Sequence, residues 1–232
     1  MGFETILYEE DGPIGWLTLN RPDDGNMFTP RMCHEVRDCI DVVRRETRTR
    51  VLVLTGAGER FFCIGGRKEG MEDTLLYAGV LPTLEMYEAI DRLQKPVIAS
   101  VNGFAVGGGN VLQVVCDLTI AKESAVFRQV GPMMGSFDAG YGTWYLEDLV
   151  GKKKAKEIWF LCRQYSADEA LAMVVVEASG RPLVASNAVT PHAQPVSPAP
   201  LATPTSSNRA IPSTTPSPRY SVLAHPGEPF GR

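Results

Sequence analysis

Residues 99–117 constrain the fold more than any other part of the chain. They read ASVNGFAVGGGNVLQVVCD: an apolar run ends in Gly107, Gly108 and Gly109, and an uncharged segment with helical character follows at once. Consecutive glycines cost backbone entropy, so they indicate a sharp turn or a close approach to a ligand. At a helix start their N–H groups lack intrahelical acceptors and the helix dipole favours negative charge. The stretch therefore predicts either an oxyanion site or a tight turn that lets a buried helix pack on a sheet.

Strand and helix patterns alternate through residues 1–173. The apolar runs at 51–55 and 97–101 predict buried strands, and short strands are also expected at 3–7 and 14–19. Helical spacing of apolar residues predicts amphipathic helices over 30–46 and 81–93, and a further helix is expected near 152–162. The apolar stripe of the helix at 30–46 consists of Met32, Val36, Ile40 and Val43. Strands and helices that alternate through short connections are typical of a layered α/β fold.

The composition changes abruptly after Met173. Eleven of the 17 prolines lie beyond that residue, whereas the last lysine is Lys156 and the last aspartate is Asp168. A segment rich in Pro, Ser, Thr and Ala buries too little apolar area to fold, so residues 174–232 are predicted to be a disordered tail. A shifted reading frame or an alternative carboxyl terminus is a hypothesis that explains the change.

Charge and cysteine content exclude several classes of function. The net charge of −4 gives no reason to expect nucleic acid or an anionic membrane as a partner, and no apolar run is long enough to cross a bilayer. The five cysteines are odd in number and lack the spacing of metal ligands, so no metal site is predicted. They favour a reduced, cytoplasmic protein. The sequence GAGERF after the strand at 51–55 lacks the third glycine of a dinucleotide-binding fingerprint.

Three motifs together resemble those of the crotonase (enoyl-CoA hydratase/isomerase) superfamily. NRPDDGNMF at 20–28 is similar to its NRPxxxNAL signature, FCIGGR at 62–67 to its FxxGxD loop, and residues 95–121 to its central glycine-rich segment. The similarity spans about residues 3–173. It implies a spiral α/β core of repeated ββα units, with the usual carboxyl-terminal helices replaced by the tail.

The resemblance implies a coenzyme A thioester as substrate and no covalently bound cofactor. In this family two backbone N–H groups bind the thioester oxygen, and by position they belong to Gly66 and Gly108. Donors fixed before the reaction stabilise the negative charge that develops on an enolate oxygen. The residues expected to line the coenzyme A site are Asn26, Met27, Cys63, Gly65, Gly66, Arg67, Lys68, Gly107, Gly108 and Gly131.

Two departures from the family pattern make hydration of a double bond, one of the family's reactions, less suitable for this chain. The two glutamates that hydratases of this family use correspond to Val111 and Gly131, so hydration by that route is not expected. Instead, residues 129–146 (QVGPMMGSFDAGYGTWYL) resemble two subgroups: the 1,4-dihydroxy-2-naphthoyl-CoA synthases, which close a ring, and the 2-ketocyclohexanecarboxyl-CoA hydrolases, which open one. The resemblance implies carbon–carbon bond chemistry on a cyclic β-ketoacyl-CoA and leaves open both its direction and whether bicarbonate assists.

Three residues in this segment are candidates for catalysis. Asp138 would carry the proton, Thr143 would orient Asp138, and Tyr141 would hold or protonate a substrate oxygen. An aspartate that only caps a turn or helix, and a GYGT turn needed only for packing, are the alternatives. Arg67 and Lys68 replace the usual acidic position and would meet a substrate carboxylate or a coenzyme A phosphate, or else lie in a solvated loop.

Two further enzyme and non-enzyme interpretations stay open. One is a generic enoyl-CoA hydratase or isomerase that uses another base, and the other is an acyl-CoA-binding subunit with impaired catalysis. The family also implies a homotrimer or hexamer, although the helices that build it are replaced here by the tail.

Overall fold

The chain forms two β-sheets with helices packed on them, in a computed structural model that describes residues 2–66, 81–136 and 141–180. The first sheet has the strand order β1-β2-β3-β5-β7-β10. Its neighbouring strands are parallel except for the antiparallel β1–β2 hairpin. The bounds are β1 Ile6–Asp11, β2 Ile14–Leu19, β3 Val51–Gly56, β5 Val97–Val101, β7 Leu118–Lys122 and β10 Ala178–Gly180.

The second sheet has four short strands in the order β4-β6-β8-β9. Pairs β4–β6 and β6–β8 are parallel, whereas β8–β9 is antiparallel. The bounds are β4 Phe61–Cys63, β6 Phe104–Val106, β8 Val126–Arg128 and β9 Gln164–Ser166. The chain passes three times from the first sheet to the second, at β3–β4, β5–β6 and β7–β8. The repeated ββ crossing followed by a helix is the spiral α/β core that the motifs predicted.

A buried asparagine and a glycine hold two of these crossings together. The side chain of Asn102 accepts a hydrogen bond from the N–H of Gly56 (3.3 Å) and donates to the carbonyls of Gly56 (2.9 Å) and Gly58 (2.7 Å). A Cβ on Gly103 would lie 2.2 Å from the carbonyl oxygen of Arg60, so only glycine allows the two crossings to approach this closely. The turn residues therefore fix the second sheet relative to the first.

The helices cover the sheets with apolar faces. Their bounds are α1 Pro30–Arg45, α2 Pro82–Asp91, α3 Gly108–Val115, α4 Gly131–Met134, α5 Tyr141–Val150, α6 Lys152–Leu161 and α7 Ala167–Ala172. The side chain of Thr29 accepts a hydrogen bond from the N–H of Met32 and caps α1, and the predicted stripe of α1 is completely buried. Among the described residues no helix is long and apolar enough to span a membrane.

The packed region extends past residue 173, where the composition changes. Val175 and Val176 are buried, and β10 pairs with β7 in the parallel register that places Ala178 opposite Ile120. Residues 178–180 therefore belong to the first sheet, and the segment that leads to them is packed through Val175 and Val176. The rest of the predicted tail, 181–232, lies outside the described residues.

Candidate active site

Two glycine loops meet at one edge of the second sheet. Gly65 and Gly66 follow β4, and Gly107 and Gly108 follow β6, its parallel neighbour, so both loops leave the carboxyl ends of adjacent strands. A Cβ placed on Gly65 would lie 2.9 Å from the backbone nitrogen of Gly108, and a Cβ on Gly108 would lie 3.3 Å from the Cα of Gly65. The fold therefore brings into contact two loops that are 43 residues apart in sequence.

The close contact requires glycine at each position. Gly65 has φ +92° and Gly107 has φ +54°, both in the region that side chains disfavour. A Cβ on Gly109 would lie 1.9 Å from the carbonyl oxygen of Cys63, so any side chain there would push α3 away from β4. Close packing of α3 on the sheet is therefore confirmed for Gly109, while an oxyanion site at Gly108 stays a prediction.

The backbone around the two amides is defined by the start of α3 and by a bridge to Phe28. Gly108 is the first residue of α3, where the N–H has no acceptor within the helix. Gly66 forms a parallel bridge with Phe28, whose N–H donates to the carbonyl of Gly65 (2.8 Å). In a parallel bridge, only one residue of the registered pair directs its N–H and C=O groups toward the other strand. Phe28 is that residue here, so the N–H of Gly66 points away from the Phe28 segment. Gly66 is exposed and Gly108 partly exposed, so both can be reached from solvent.

The loop that contains Asn26 supports the first glycine loop. Asn26 is fully buried at φ +52°; its side chain accepts from the N–H of Arg21 (2.9 Å) and donates to the carbonyls of Ala57 (3.1 Å) and Phe61 (2.9 Å). The carbonyl of Met27 accepts from the Arg21 guanidinium (3.3 Å). The polar atoms of the Asn26 side chain are therefore all used in hydrogen bonds within the protein. The predicted contact of this loop with coenzyme A would then be made by the backbone of the loop.

Cys63 is a packing residue of the site. It is completely buried at the end of β4, and its sulfur accepts a hydrogen bond from the N–H of Gly65 at 3.4 Å. Burial raises the pKa of the Cys63 thiol to about 12, so it stays neutral at physiological pH. A neutral buried thiol is not a nucleophile.

Aromatic rings lie next to the amide of Gly108. Tyr87 on α2 packs edge-to-face against Phe28 (centroids 6.3 Å apart) and Tyr141 (5.9 Å), and Tyr141 packs against Tyr145 (5.1 Å). The Tyr87 hydroxyl donates to the carbonyl of Gly108 at 2.9 Å. Burial, with the charges of Asp91 and Glu88, raises the pKa of Tyr141, so its hydroxyl remains a proton donor at neutral pH.

Neither family glutamate position carries or accommodates a carboxylate. Val111 is 1% exposed on the first turn of α3. A Cβ on Gly131 would lie 2.7 Å from the carbonyl oxygen of Ser136 and 2.9 Å from Cζ3 of Trp159. Gly131 is thus a packing position against α6, without space for a glutamate side chain.

Other predicted site residues are placed partly or not at all. Thr143 is partly buried on the first turn of α5. Asp138, Arg67 and Lys68 lie outside the described residues. Within residues 2–66, 81–136 and 141–180 no group of three His, Cys, Asp or Glu residues is arranged to hold a metal ion.

Sequence reasoning missed two polar groups near the glycine loops. Tyr87 fits the apolar stripe of its helix, and only the structure places its hydroxyl against Gly108. Gln129 follows β8 and is 1% exposed, and its amide nitrogen has no hydrogen-bond partner. The backbone carbonyl of the preceding residue, Arg128, accepts a hydrogen bond from the N–H of Gly107 (2.9 Å), so Gln129 lies close to the second glycine loop.

Known proteins share both the sequence pattern and the fold. The profile of the enoyl-CoA hydratase/isomerase family matches residues 9–205. An enoyl-CoA hydratase from Bacillus anthracis is 31% identical, with a TM-score of 0.70 over 76% of this chain and 70% of that chain. Enoyl-CoA hydratase subunit I from Geobacillus kaustophilus is 30% identical, with a TM-score of 0.72 over 77% and 69%. An enoyl-CoA hydratase/carnitine racemase from Magnetospirillum magneticum is 26% identical, with a TM-score of 0.73 over 77% and 69%.

Proposed function

The chain belongs to the enoyl-CoA hydratase/isomerase family of the crotonase superfamily, and from that premise we propose that it makes or breaks a carbon–carbon bond next to the thioester of a cyclic β-ketoacyl-CoA. The observation that carries the proposal is the contact between the Gly65–Gly66 loop and the amide of Gly108. Val111 and Gly131 stand where hydratases of the family have glutamates, and the lack of these two carboxylates favours this reaction over hydration.

The glycine loops would stabilise an enolate. When the bond next to the thioester breaks, its electron pair moves onto the thioester oxygen, where the N–H groups of Gly66 and Gly108 would donate to it. Each such preorganised donor contributes about 3 kcal/mol to transition-state stabilisation in enzymes with comparable sites. The backbone supplies these donors without reorganisation, because β4, β6 and α3 hold them in place.

The ring-opening direction balances as a hydrolysis. Water adds to the ring ketone and loses a proton to a base, and the bond between that carbon and the α-carbon breaks. The former ketone becomes a carboxylic acid, and the α-carbon of the enolate takes up a proton. Ring closure, the Claisen-type direction, attacks a carboxyl carbon with the same enolate and releases water. One site that stabilises an enolate therefore serves either direction.

The proton carrier is assigned from the resemblance. We assign Asp138 to take the proton from water and return it to the α-carbon, and Thr143 to orient Asp138. Tyr141 suits a hydrogen-bond donor to a substrate oxygen, because a tyrosine hydroxyl is protonated at neutral pH and burial raises its pKa further. Arg67 and Lys68 are assigned to an anionic group of the substrate or of coenzyme A.

Gln129 is the residue that fits an auxiliary bicarbonate. Its buried amide nitrogen has no hydrogen-bond partner, and an anion oxygen is the type of acceptor that would satisfy it. When bound, bicarbonate supplies a weak base beside the substrate. In the absence of an anion, Gln129 would donate to a water molecule in the same place.

Cellular location and assembly are also proposals. All five cysteines are free and buried, which supports a reduced, cytoplasmic protein. A homotrimer or hexamer is proposed from the family alone.

Mass spectrometry of two candidate reactions tests the function. We expect 2-oxocyclohexanecarboxyl-CoA to gain the mass of one water, or succinylbenzoyl-CoA to lose it. The Asp138→Asn variant should abolish the change, while Asp148→Asn, which alters an exposed carboxylate on α5, should retain it. No change in either substrate would contradict the proposal.

A second candidate is enoyl-CoA hydratase, because the solved structures that are 31% and 30% identical to this chain are enoyl-CoA hydratases. Rapid hydration of crotonyl-CoA at an equal rate in Asp138→Asn would favour this candidate. Calorimetric binding of CoA thioesters with no turnover of any β-keto or enoyl substrate would instead favour a binding subunit.

A further inference from the structure

Tyr87 touches the second glycine loop with its polar end. It lies on α2, is 4% exposed, and its hydroxyl donates to the carbonyl of Gly108 at 2.9 Å. A Cβ on Gly108 would lie 3.2 Å from the same hydroxyl oxygen, so the phenol contacts the residue directly. A buried tyrosine hydroxyl needs a hydrogen-bond partner, and here the partner is the first carbonyl of α3.

The ring of Tyr87 contacts the support of the other glycine loop. Its edge-to-face neighbour Phe28 donates its N–H to the carbonyl of Gly65 and bridges Gly66. The ring of Phe28 also reaches α3, because a Cβ on Gly108 would lie 3.1 Å from its Cε2. Tyr87 and Phe28 together therefore span both loops.

We infer that Tyr87 is a positioning residue for the enolate-binding amides, an inference that rests on the proposed function of the two glycine loops. Gly108 has no side chain of its own to limit its backbone rotation. The hydroxyl of Tyr87 fixes the Gly108 carbonyl and with it the first turn of α3. The ring, held against Phe28, keeps that turn in register with Gly66.

The Tyr87→Phe variant separates this role from simple packing, because it keeps the ring and removes the hydroxyl. Tyr8→Phe is the matched control, because it also removes a hydrogen-bonded hydroxyl, whose oxygen lies 3.2 Å from the hydroxyl oxygen of Thr49. Tyr8 lies on β1, an edge strand of the first sheet, whereas the glycine loops follow β4 and β6 of the second sheet. A cooperative thermal unfolding transition is to be recorded for both variants, to establish that each is folded.

Hydrogen–deuterium exchange without any ligand gives the first readout. In Tyr87→Phe we expect the hydrogen-bonded amides within residues 107–112, those of Gly107, Val111 and Leu112, to exchange about five- to tenfold faster, the effect of one lost hydrogen bond on local opening, with other segments unchanged. Tyr8→Phe should leave residues 107–112 as they are in the wild-type protein. Equal exchange of this segment in Tyr87→Phe and wild type would overturn the inference.

Infrared difference spectra of bound benzoyl-CoA, labelled with carbon-13 at the thioester carbonyl, give the second readout. Benzoyl-CoA has no α-hydrogen, so it binds without forming an enolate. The wild-type protein and Tyr8→Phe should lower the carbonyl stretching frequency, and Tyr87→Phe should lower it less. An equal shift in Tyr87→Phe would overturn the inference. No shift in the wild-type protein would overturn the proposed function, whereas exchange at 107–112 would still decide whether Tyr87 holds α3.

Discussion

Replacement of Gly65 by alanine perturbs the contact on which the site depends. The new Cβ would lie 2.9 Å from the nitrogen of Gly108, whereas ordinary contacts begin at 3.4 Å, so the two loops must separate by about 0.5 Å. Gly65 also has φ +92°, where a side chain is strained. The substitution therefore combines backbone strain with displacement of one proposed donor.

The size of each effect follows from the geometry. Backbone strain at positive φ costs about 1–2 kcal/mol, and overpacking adds about 1–3 kcal/mol. A misplacement of 1 Å costs about a hundredfold in rate, so a shift of about half that distance predicts a loss of about tenfold. We expect Gly65→Ala to lower both the free energy of unfolding and the turnover of the cyclic β-ketoacyl-CoA.

Gly151→Ala is the matched control, because Gly151 has φ +77° and a Cβ there would have no atom within 4 Å. Gly151 also has ψ 156°, a conformation almost confined to glycine, so urea unfolding should show a loss of about 1–3 kcal/mol in this variant from strain alone, with turnover unchanged. Equal destabilisation of the two variants, together with full turnover by Gly65→Ala, would refute the contact between the Gly65 loop and Gly108.

Three other substitutions test individual interactions. Asn26→Ala removes three buried hydrogen bonds and should lower the free energy of unfolding by about 2–4 kcal/mol in urea; a loss below about 0.5 kcal/mol would contradict this. Burial alone would raise the pKa of Glu35, but hydrogen bonds, chiefly from Thr5, lower it to about 2. The ionised Glu35 carboxylate therefore contributes to the free energy of unfolding, and this contribution is lost as the pH falls from 4.5 through 2. Thermal melts of Glu35→Gln should depend less on pH in that range, and an unchanged dependence would contradict the assignment. The hydrogen bond to Asp91, assisted by burial, raises the pKa of Tyr145 to about 12, so ultraviolet titration of Asp91→Asn should show Tyr145 ionising closer to 10 than in the wild type. The pKa of Tyr141, which the charge of Asp91 also raises, should fall as well.

The sequence predicts β2, β3, β5 and the long helix α1 because their patterns are long, whereas β1 begins at Ile6 instead of the predicted residue 3 and β10 lies within the predicted tail. The run at 97–101 forms β5 as predicted, and α1 ends at Arg45, one residue before the predicted boundary. The α/β crotonase-type fold and the superfamily are confirmed by the sheet topology and by the family match over residues 9–205. The subgroup stays a prediction.

The second sheet could not be predicted from local patterns. Its strands have three residues each, too few to show a period of two, and they form because the chain crosses between sheets at turns such as Asn102-Gly103. The sequence GYGT at 140–143 is typical of a turn, but its described residues, from Tyr141 onward, form the start of α5. Its buried residues Gly142 and Leu146 show that tertiary packing, rather than the turn propensity of glycine, decides the local structure.

The meeting of the two glycine loops could be predicted in part, because backbone geometry restricts the residue type there. The glycines at 107–109 indicate a close approach from the sequence alone, whereas Gly65 is indicated only by the resemblance; the roles of the site residues stay predictions. Tyr87 gave no such signal, because a tyrosine on an apolar stripe looks like any core residue, and its partner Gly108 is 21 positions away. Long-range polar contacts of this kind depend on the folded topology and leave no local pattern.

A crystal structure of the protein with bound benzoyl-CoA tests the central claim most directly. The account predicts that the thioester oxygen lies about 2.7–3.1 Å from the backbone nitrogens of both Gly66 and Gly108. A thioester oxygen bound by other groups, or within reach of only one of these two amides, would contradict it.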